Sequence, residues 1–175
     1  AEAGVLDTNY DEAVRFAAKR AEQEGWLLVQ DTAWTGYDEI PTWIMQGYTT
    51  LADEAWDQMR VLGVTPTHVF LQAGVGSFAA SQLGYWQSQR ELTRPPQFVV
   101  MEPSNAACFY LSAQCRDGQP HAVMGDLQTM MAGLSCGEPN PLAWPLLRDY
   151  VCGFFSCPDY VASYGMRILG NPWFG

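Results

Sequence analysis

A glycine-rich segment is the first place where residue types and spacing in this sequence suggest binding chemistry. Gly74, Val75, Gly76 and Ser77 stand between a predicted buried strand and a predicted helix. Backbone amides at the start of a helix carry partial positive charge and bind anions, phosphate above all. The glycines let a ligand approach the backbone closely, and Ser77 can add a hydroxyl. The segment therefore predicts a phosphate site, with a tight strand-to-helix turn that binds nothing as the alternative.

The same segment also fits a dinucleotide-binding pattern. Residues 74–79 read GVGSFA and match GxGxxA, and Glu102 ends the next predicted strand, where an acidic residue would hold a ribose hydroxyl. Two features weaken this interpretation. The pattern normally follows the first strand of its fold, whereas a strand and a long helix precede it here, and Pro103 follows Glu102 at once. An NAD-type nucleotide-binding domain is therefore kept as the alternative hypothesis.

Strands and helices are predicted to alternate along the chain around this segment. Apolar runs predict strands and a 3.6-residue apolar period predicts helices. Such alternation indicates an α/β fold, an open parallel sheet with helices on both faces. The predicted helices are Asn9–Glu24, Thr42–Leu62, Phe78–Arg90, Ala106–Gln114, Leu142–Phe154 and Asp159–Leu169, and the predicted strands are Trp26–Gln30, His68–Gln72, Gln97–Met101 and His121–Met124.

Composition narrows the classes of function. The chain has 175 residues, enough for one domain, and a formal net charge of −10, which argues against nucleic-acid binding. No apolar run is long enough to predict a membrane span. Five cysteines without a CxxC pair, and two histidines, give no metal-site pattern and favour reduced thiols in a cytoplasmic protein. Only 16% of residues are charged while 48% are hydrophobic, which predicts a surface covered by a partner.

Four blocks of sequence resemble one known enzyme family. They read QDTAW at residues 30–34, IPTWIMQGY at 40–48, QAGVGS at 72–77 and AGLSCGEPNP at 132–141. In combination they are similar to diaminopropionate ammonia-lyase, whose fold is shared with threonine deaminase and the tryptophan synthase β subunit. The resemblance runs nearly the full length of this chain but covers only the later part of the family's sequence.

The resemblance implies an enzyme that uses pyridoxal phosphate (PLP) to convert 2,3-diaminopropionate to pyruvate and ammonia. The glycine segment would hold the cofactor phosphate, and Asp31 would handle substrate or remove its proton. The alternative for Asp31 is a surface or capping aspartate. Glu102 would lie in a loop beside the cofactor ring, and the segment with Gly133 and Ser135 would pass near the ring edge.

The resemblance also implies how this chain fits into the family's enzyme. It would be a single partial domain over residues 1–175, the C-terminal part of the large PLP-binding domain. Residues 1–30 are a candidate end of the small domain. The full-length enzyme would be a homodimer that acts on a small amino acid.

One residue type that the implied chemistry needs is scarce. A lysine must form a Schiff base with the cofactor, and the single lysine, Lys19, falls on the solvated face of a predicted helix. The family's lysine is expected from an earlier segment, so the 175-residue chain alone is expected not to turn over substrate. A third hypothesis is a non-catalytic remnant whose apolar surface serves assembly.

Overall fold

Three parallel strands form the centre of the protein, described by a computed structural model for residues 3–89 and 94–173. The strands are β1 His68–Gln72, β2 Gln97–Pro103 and β3 Gly153–Cys157, in the order β1-β2-β3. Val69 of β1 lies opposite Phe98 of β2, and Val100 of β2 lies opposite Phe154 of β3. The prediction of an α/β fold with an open parallel sheet is therefore confirmed.

Helices surround this sheet and supply most of its cover. Phe98, Val99 and Val100 are successive residues of β2 and all are buried, so both faces of the central strand are covered. Among the described residues no helix is long and apolar enough to cross a membrane. The helices are α1 Tyr10–Glu24, α2 Glu39–Leu62, α3 Ser77–Ser88, α4 Cys108–Cys115, α5 Ala143–Tyr150 and α6 Asp159–Leu169, with 3₁₀ turns at Ser104–Ala106 and Ala132–Leu134.

One continuous core holds α2, α3, α4 and α5 against the sheet. Trp56 of α2 meets Trp86 of α3 edge to face, with ring centroids 5.3 Å apart. On the other side of the core, Phe109, Trp144 and Phe154 pack together from α4, α5 and β3. Aromatic contacts of this kind add about 1 kcal/mol each beyond the burial of their apolar area.

Local signals placed the first helix correctly. The Asn9 side chain accepts a hydrogen bond from the Glu12 amide at 3.0 Å, and Gly25 ends α1 in the left-handed conformation. Contacts to a distant segment then fix the position of α1. Asp11 accepts from the Gly137 amide at 3.0 Å, and Arg15 forms an ion pair with Glu138.

The predicted strand Trp26–Gln30 is wrong. This segment is irregular, and Leu27 and Val29 are 78% and 64% exposed. None of the three strands in the described part of the chain pairs with it; instead the Tyr37 hydroxyl donates to the Leu28 carbonyl at 3.0 Å and accepts from the Gln30 amide at 3.1 Å. An apolar run thus mimicked a buried strand because sequence pattern does not show whether a pairing partner exists.

Two further predictions are corrected near the C-terminus. Residues 121–124 form no strand. The predicted helix Leu142–Phe154 ends at Tyr150, and its last two residues belong to β3. Just before this strand, the Cys152 amide donates to the Phe98 carbonyl of β2 at 2.8 Å. Pairing with β2 overrides the local helical pattern here. Helix α3 ends at Ser88, and Arg90, its predicted last residue, lies outside the described residues.

Candidate functional site

A cavity of about 450 Å³ lies where β1 ends and α3 begins. Its wall combines the glycine loop with Asp31, with side chains from α1 and α2, and with residues of the segment 132–136. Parallel α/β sheets commonly bind ligands at this end of their strands. The residues that line the cavity include Tyr10, Asp31, Tyr48, Gly74, Val75, Gly76, Ser77, Phe78, Ala79, Gly133, Leu134 and Cys136.

The glycine loop is shaped by two close packing contacts. Gly76 has φ +91°, and a Cβ there would lie 2.3 Å from Cζ of Phe109. A Cβ on Gly74 would lie 3.1 Å from Sγ of Cys136 and 3.2 Å from the Gly133 carbonyl oxygen. Glycine at these two positions therefore lets the loop pass between α4 and the segment around Gly133.

The amides that follow the loop form the candidate anion site. The first hydrogen bond of α3 runs from the Ala80 amide to the Gly76 carbonyl at 2.9 Å. The amides of Ser77, Phe78 and Ala79 precede that bond and have no partner within the helix. All three residues line the cavity, so the N-terminus of α3 and its partial positive charge face the space where a phosphate could bind.

Asp31 is joined to the glycine loop through its backbone. The Asp31 carbonyl accepts from Ser77 Oγ and from Asn140 Nδ2, both at 2.8 Å. Burial raises the pKa of the Asp31 carboxyl above its usual value, and a hydrogen bond from the Tyr48 side chain partly opposes that rise. The structure therefore brings a half-buried carboxylate and the candidate anion site to one cavity.

Two tyrosines complete this part of the wall. Burial and the nearby charge of Asp31 raise the pKa of Tyr10 to about 12, so its phenol is neutral at physiological pH. Burial, together with Asp31, also raises the pKa of Tyr48. Tyr10 and Tyr48 fall within the predicted helices 9–24 and 42–62, and neither was predicted to be a site residue. The hydroxyl on an otherwise apolar stripe was the signal that could have marked them.

Glu102 lies apart from the cavity. It is 1% exposed, and its carboxylate accepts from the amides of Phe109 at 2.9 Å and Tyr110 at 2.7 Å, which caps α4. Burial raises its pKa to about 7, against the opposing effect of those amides. Both oxygens are thus occupied inside the protein, which removes the ribose-binding group that the dinucleotide hypothesis requires.

The segment after the second 3₁₀ turn divides between two cavities. Gly133 lines the candidate site with its neighbour Leu134. Ser135 instead lines an adjacent cavity, and its hydroxyl donates to the Leu127 carbonyl at 2.6 Å. Cys136 is buried against the glycine loop, and burial raises the pKa of its thiol to about 12, so it stays protonated.

No metal site is found within residues 3–89 and 94–173, where no three His, Cys, Asp or Glu side chains are grouped to hold an ion. His121 lies at the surface with Nε2 2.9 Å from Asp117 Oδ2. Lys19 is exposed on α1 and does not line the candidate cavity.

The sequence of this chain is similar to known members of one enzyme family. Diaminopropionate ammonia-lyases from Salmonella typhimurium and Escherichia coli K12 are each 54% identical to the chain, over 173 and 175 residues. The aligned residues make up 98% and 99% of this chain but 43% of each relative. The chain thus spans less than half the length of these curated relatives.

Solved structures of the same enzyme are also similar to this chain. The crystal structure of holo diaminopropionate ammonia lyase from Escherichia coli has a TM-score of 0.86 and 53% identity, and covers 97% of this chain and 41% of its own. The same enzyme with an aminoacrylate-PLP azomethine reaction intermediate has a TM-score of 0.85, 53% identity, and 97% and 42% coverage.

A wider family description covers the whole site. The model of the family "Pyridoxal-phosphate dependent enzyme" matches residues 1–171, which include the glycine loop, Asp31 and every residue named in the cavity wall. This match extends over far more than half of the chain. The chain belongs to the family of pyridoxal-phosphate dependent enzymes.

Proposed function

We propose that this chain is part of a PLP-dependent ammonia-lyase that converts 2,3-diaminopropionate to pyruvate and ammonia. Its 54% identity to diaminopropionate ammonia-lyases supports this substrate. The observation that carries the proposal is the hydrogen bond from Ser77 Oγ to the Asp31 backbone carbonyl, because it links the residue that would carry the base to the first residue of the candidate phosphate site.

The cavity fits the phosphate end of the cofactor. The amides of Ser77, Phe78 and Ala79 would hold the phosphate. Gly74 and Gly76 have no Cβ, which in each case would collide with a residue packed against the loop. Gly133 lines the same cavity, with its carbonyl packed beside Gly74, and would lie near the ring. When bound, pyridoxal phosphate supplies an electron sink for charge that develops at the substrate's α-carbon.

Asp31 is the group of this chain that would move a proton. A carboxylate oxygen of Asp31 would accept the proton from the α-carbon of the substrate. Its raised pKa makes it a stronger base than an exposed aspartate, because burial disfavours the ionised form that gains the proton. The Tyr48 hydroxyl would keep enough of the carboxyl ionised, and the neutral Tyr10 phenol would close the wall without adding charge.

The remaining roles also stay proposals. The Schiff-base lysine would come from outside this chain, because Lys19 is exposed on α1, and the 175-residue chain alone would not turn over substrate. Glu102 would act indirectly, by holding α4 and thereby Phe109 against Gly76. Ser135 would hold the ring-side segment to Leu127. A homodimer in the cytoplasm is proposed for the full-length protein.

An assay of the full-length protein tests the function. We expect two molecules of ammonia to form for each molecule of pyruvate from 2,3-diaminopropionate when pyridoxal phosphate is present, because both amino groups of the substrate are released. The Asp31→Asn variant should lose at least about 100-fold in kcat, because the amide cannot accept the proton. The cofactor dissociation constant should stay within about twofold, since the variant leaves the phosphate-binding amides intact.

A matched control comes from the same loop. Asp38 is exposed and its side chain makes no capping hydrogen bond, so Asp38→Asn should leave kcat unchanged. If the wild-type protein forms no pyruvate, the proposed activity is wrong. If both variants lose activity equally, Asp31 has no special role in proton transfer.

A further inference from the structure

Ser77 and Asn140 form a buried polar pair beside the candidate base. Both side chains are fully buried. Asn140 Nδ2 donates to Ser77 Oγ at 2.7 Å and to the Asp31 carbonyl at 2.8 Å, and Ser77 Oγ donates its own hydrogen to that carbonyl at 2.8 Å. Three polar groups from three distant parts of the chain therefore form one closed triangle of hydrogen bonds.

Asn140 is itself fixed by hydrogen bonds to the glycine loop and to the start of α5. Its amide nitrogen donates to the Val75 carbonyl of the glycine loop at 2.8 Å, and its Oδ1 accepts from the Leu142 amide at 2.9 Å. Its carbonyl accepts from the Ala143 amide at 2.9 Å, at the start of α5. Asn140 thus links the glycine loop to the start of α5. These hydrogen bonds fix the position of its side chain.

Asp31 depends on this support because no sheet holds its backbone. Residues 26–30 form no strand, and most of their apolar side chains are exposed. A base in a regular strand would take its position from the ladder, whereas Asp31 takes its position from Ser77 and Asn140. The carbonyl of Asp31 is fixed next to the first residue of α3, which carries a phosphate-binding amide.

We propose that Ser77 and Asn140 are positioning residues that set the distance between the Asp31 carboxylate and the phosphate site. The inference rests on the proposed function and deepens it. Ser77 then has two separate roles. Its backbone amide binds the phosphate, while its hydroxyl, which the sequence predicted to bind phosphate, positions Asp31 instead. Small displacements of a base matter, since misplacement by about 1 Å can cost about 100-fold in rate.

The Ser77→Ala variant of the full-length enzyme separates these two roles. It keeps the backbone amide and removes the hydroxyl. We expect kcat at saturating pyridoxal phosphate to fall about tenfold, since Asn140 still holds Asp31 by one hydrogen bond. The dissociation constant for pyridoxal phosphate, measured by absorbance titration, should change by less than about twofold.

Ser81→Ala is the matched control. Ser81 is a buried serine of the same helix, and its hydroxyl donates to the Ser77 carbonyl at 2.6 Å, away from the cavity. Its loss removes an equivalent buried hydroxyl from α3 without touching Asp31. We expect kcat and cofactor affinity to stay within about twofold of wild type in this variant.

Asn140→Asp gives a second, independent variant. It keeps the oxygen that caps the Leu142 amide but replaces the donating Nδ2 with an acceptor that repels the Asp31 carbonyl. We expect a larger loss of kcat than in Ser77→Ala. The double variant should lose less than the product of the two single losses, because both residues act through the same backbone atom.

The outcomes distinguish this inference from the proposed function. No pyruvate from the wild-type protein overturns both. Pyruvate from the wild type, with a Ser77→Ala variant that binds pyridoxal phosphate more than about tenfold more weakly at unchanged kcat, overturns the positioning role alone and makes the hydroxyl a phosphate ligand. Unchanged kcat in Ser77→Ala and Asn140→Asp, or an equal loss in Ser81→Ala, also overturns it.

Discussion

The carboxyl of Asp31, the proposed base, is subject to opposing influences on its pKa. Burial raises its pKa and would make it a better base, while hydrogen bonds from its own backbone amide and from Tyr48 favour the ionised form that can accept a proton. Tyr48 is held in place by its ring contact with Phe78, with centroids 5.7 Å apart, and by Gln82, which donates to its carbonyl at 2.7 Å.

Removing the Tyr48 hydroxyl should shift the pH dependence of activity. In Tyr48→Phe the Asp31 carboxylate loses a donor, so its pKa rises further. Because the base must be ionised to act, activity is lost as pH falls through this pKa. We therefore expect the acidic limb of the kcat/KM profile to move to higher pH, measured on the full-length enzyme.

A tyrosine outside the cavity provides the control for this shift. Tyr85 donates to Asp53 Oδ1 at 2.5 Å on the surface formed by α2 and α3. Tyr85→Phe also removes a phenol that bonds a carboxylate, but not the one in the site. Its acidic limb should coincide with that of the wild type, and an acidic limb that stays in place in Tyr48→Phe would contradict the role given to Tyr48.

Among the elements, the turn between β1 and α3 is the most constrained. Gly76 combines a positive φ with a contact that leaves no room for a Cβ beside Phe109. Strain of this kind costs about 1–3 kcal/mol, and displacement of a buried aromatic ring adds to it. We expect Gly76→Ala to lower the free energy of unfolding by about 3 kcal/mol or more, measured by urea denaturation.

Gly84 separates the effect of the turn from that of glycine itself. It lies within α3, and a Cβ there would meet nothing within 4 Å. Gly84→Ala should therefore raise the free energy of unfolding by up to about 1 kcal/mol, because alanine favours the helix. Destabilisation of similar size in both variants would mean that the turn carries no special strain.

How far the sequence predicted these elements depended on whether the signal was local. The cap at Asn9, the stop at Gly25 and the glycine loop all act through neighbouring residues, and the structure has them where they were expected. Strand β3 forms by pairing with the distant strand β2, and the irregular segment before Asp31 pairs with none of the described strands. Local patterns show neither fact, so both apolar segments were predicted wrongly. The bonds of Asn140 to Ser77 and Asp31 span 63 and 109 residues, and no local pattern could indicate them.

At the scale of the whole molecule, apolar surface is the dominant feature. Trp26, Leu27 and Val29 lie exposed beside α1, and Phe70 and Phe155 are exposed on the outer strands β1 and β3. Exposed apolar side chains that form a contiguous patch usually mark interfaces. The net charge of −10 acts against association, because copies of the chain repel one another at low ionic strength.

These two features predict that the 175-residue chain alone associates in a salt-dependent way. Salt screens repulsion over a distance that falls from roughly 14 Å at about 50 mM to roughly 4 Å at about 500 mM, while hydrophobic contact persists. Sedimentation velocity should therefore show larger species at the higher salt concentration.

Leu27→Ser should reduce this association, because the residue is exposed in an irregular segment and contributes little to the fold. Met124→Ser, at an equally exposed site on a different part of the surface, should have a smaller effect. Association that weakens with salt would show that opposite charges, rather than the apolar surface around Leu27, hold the copies together.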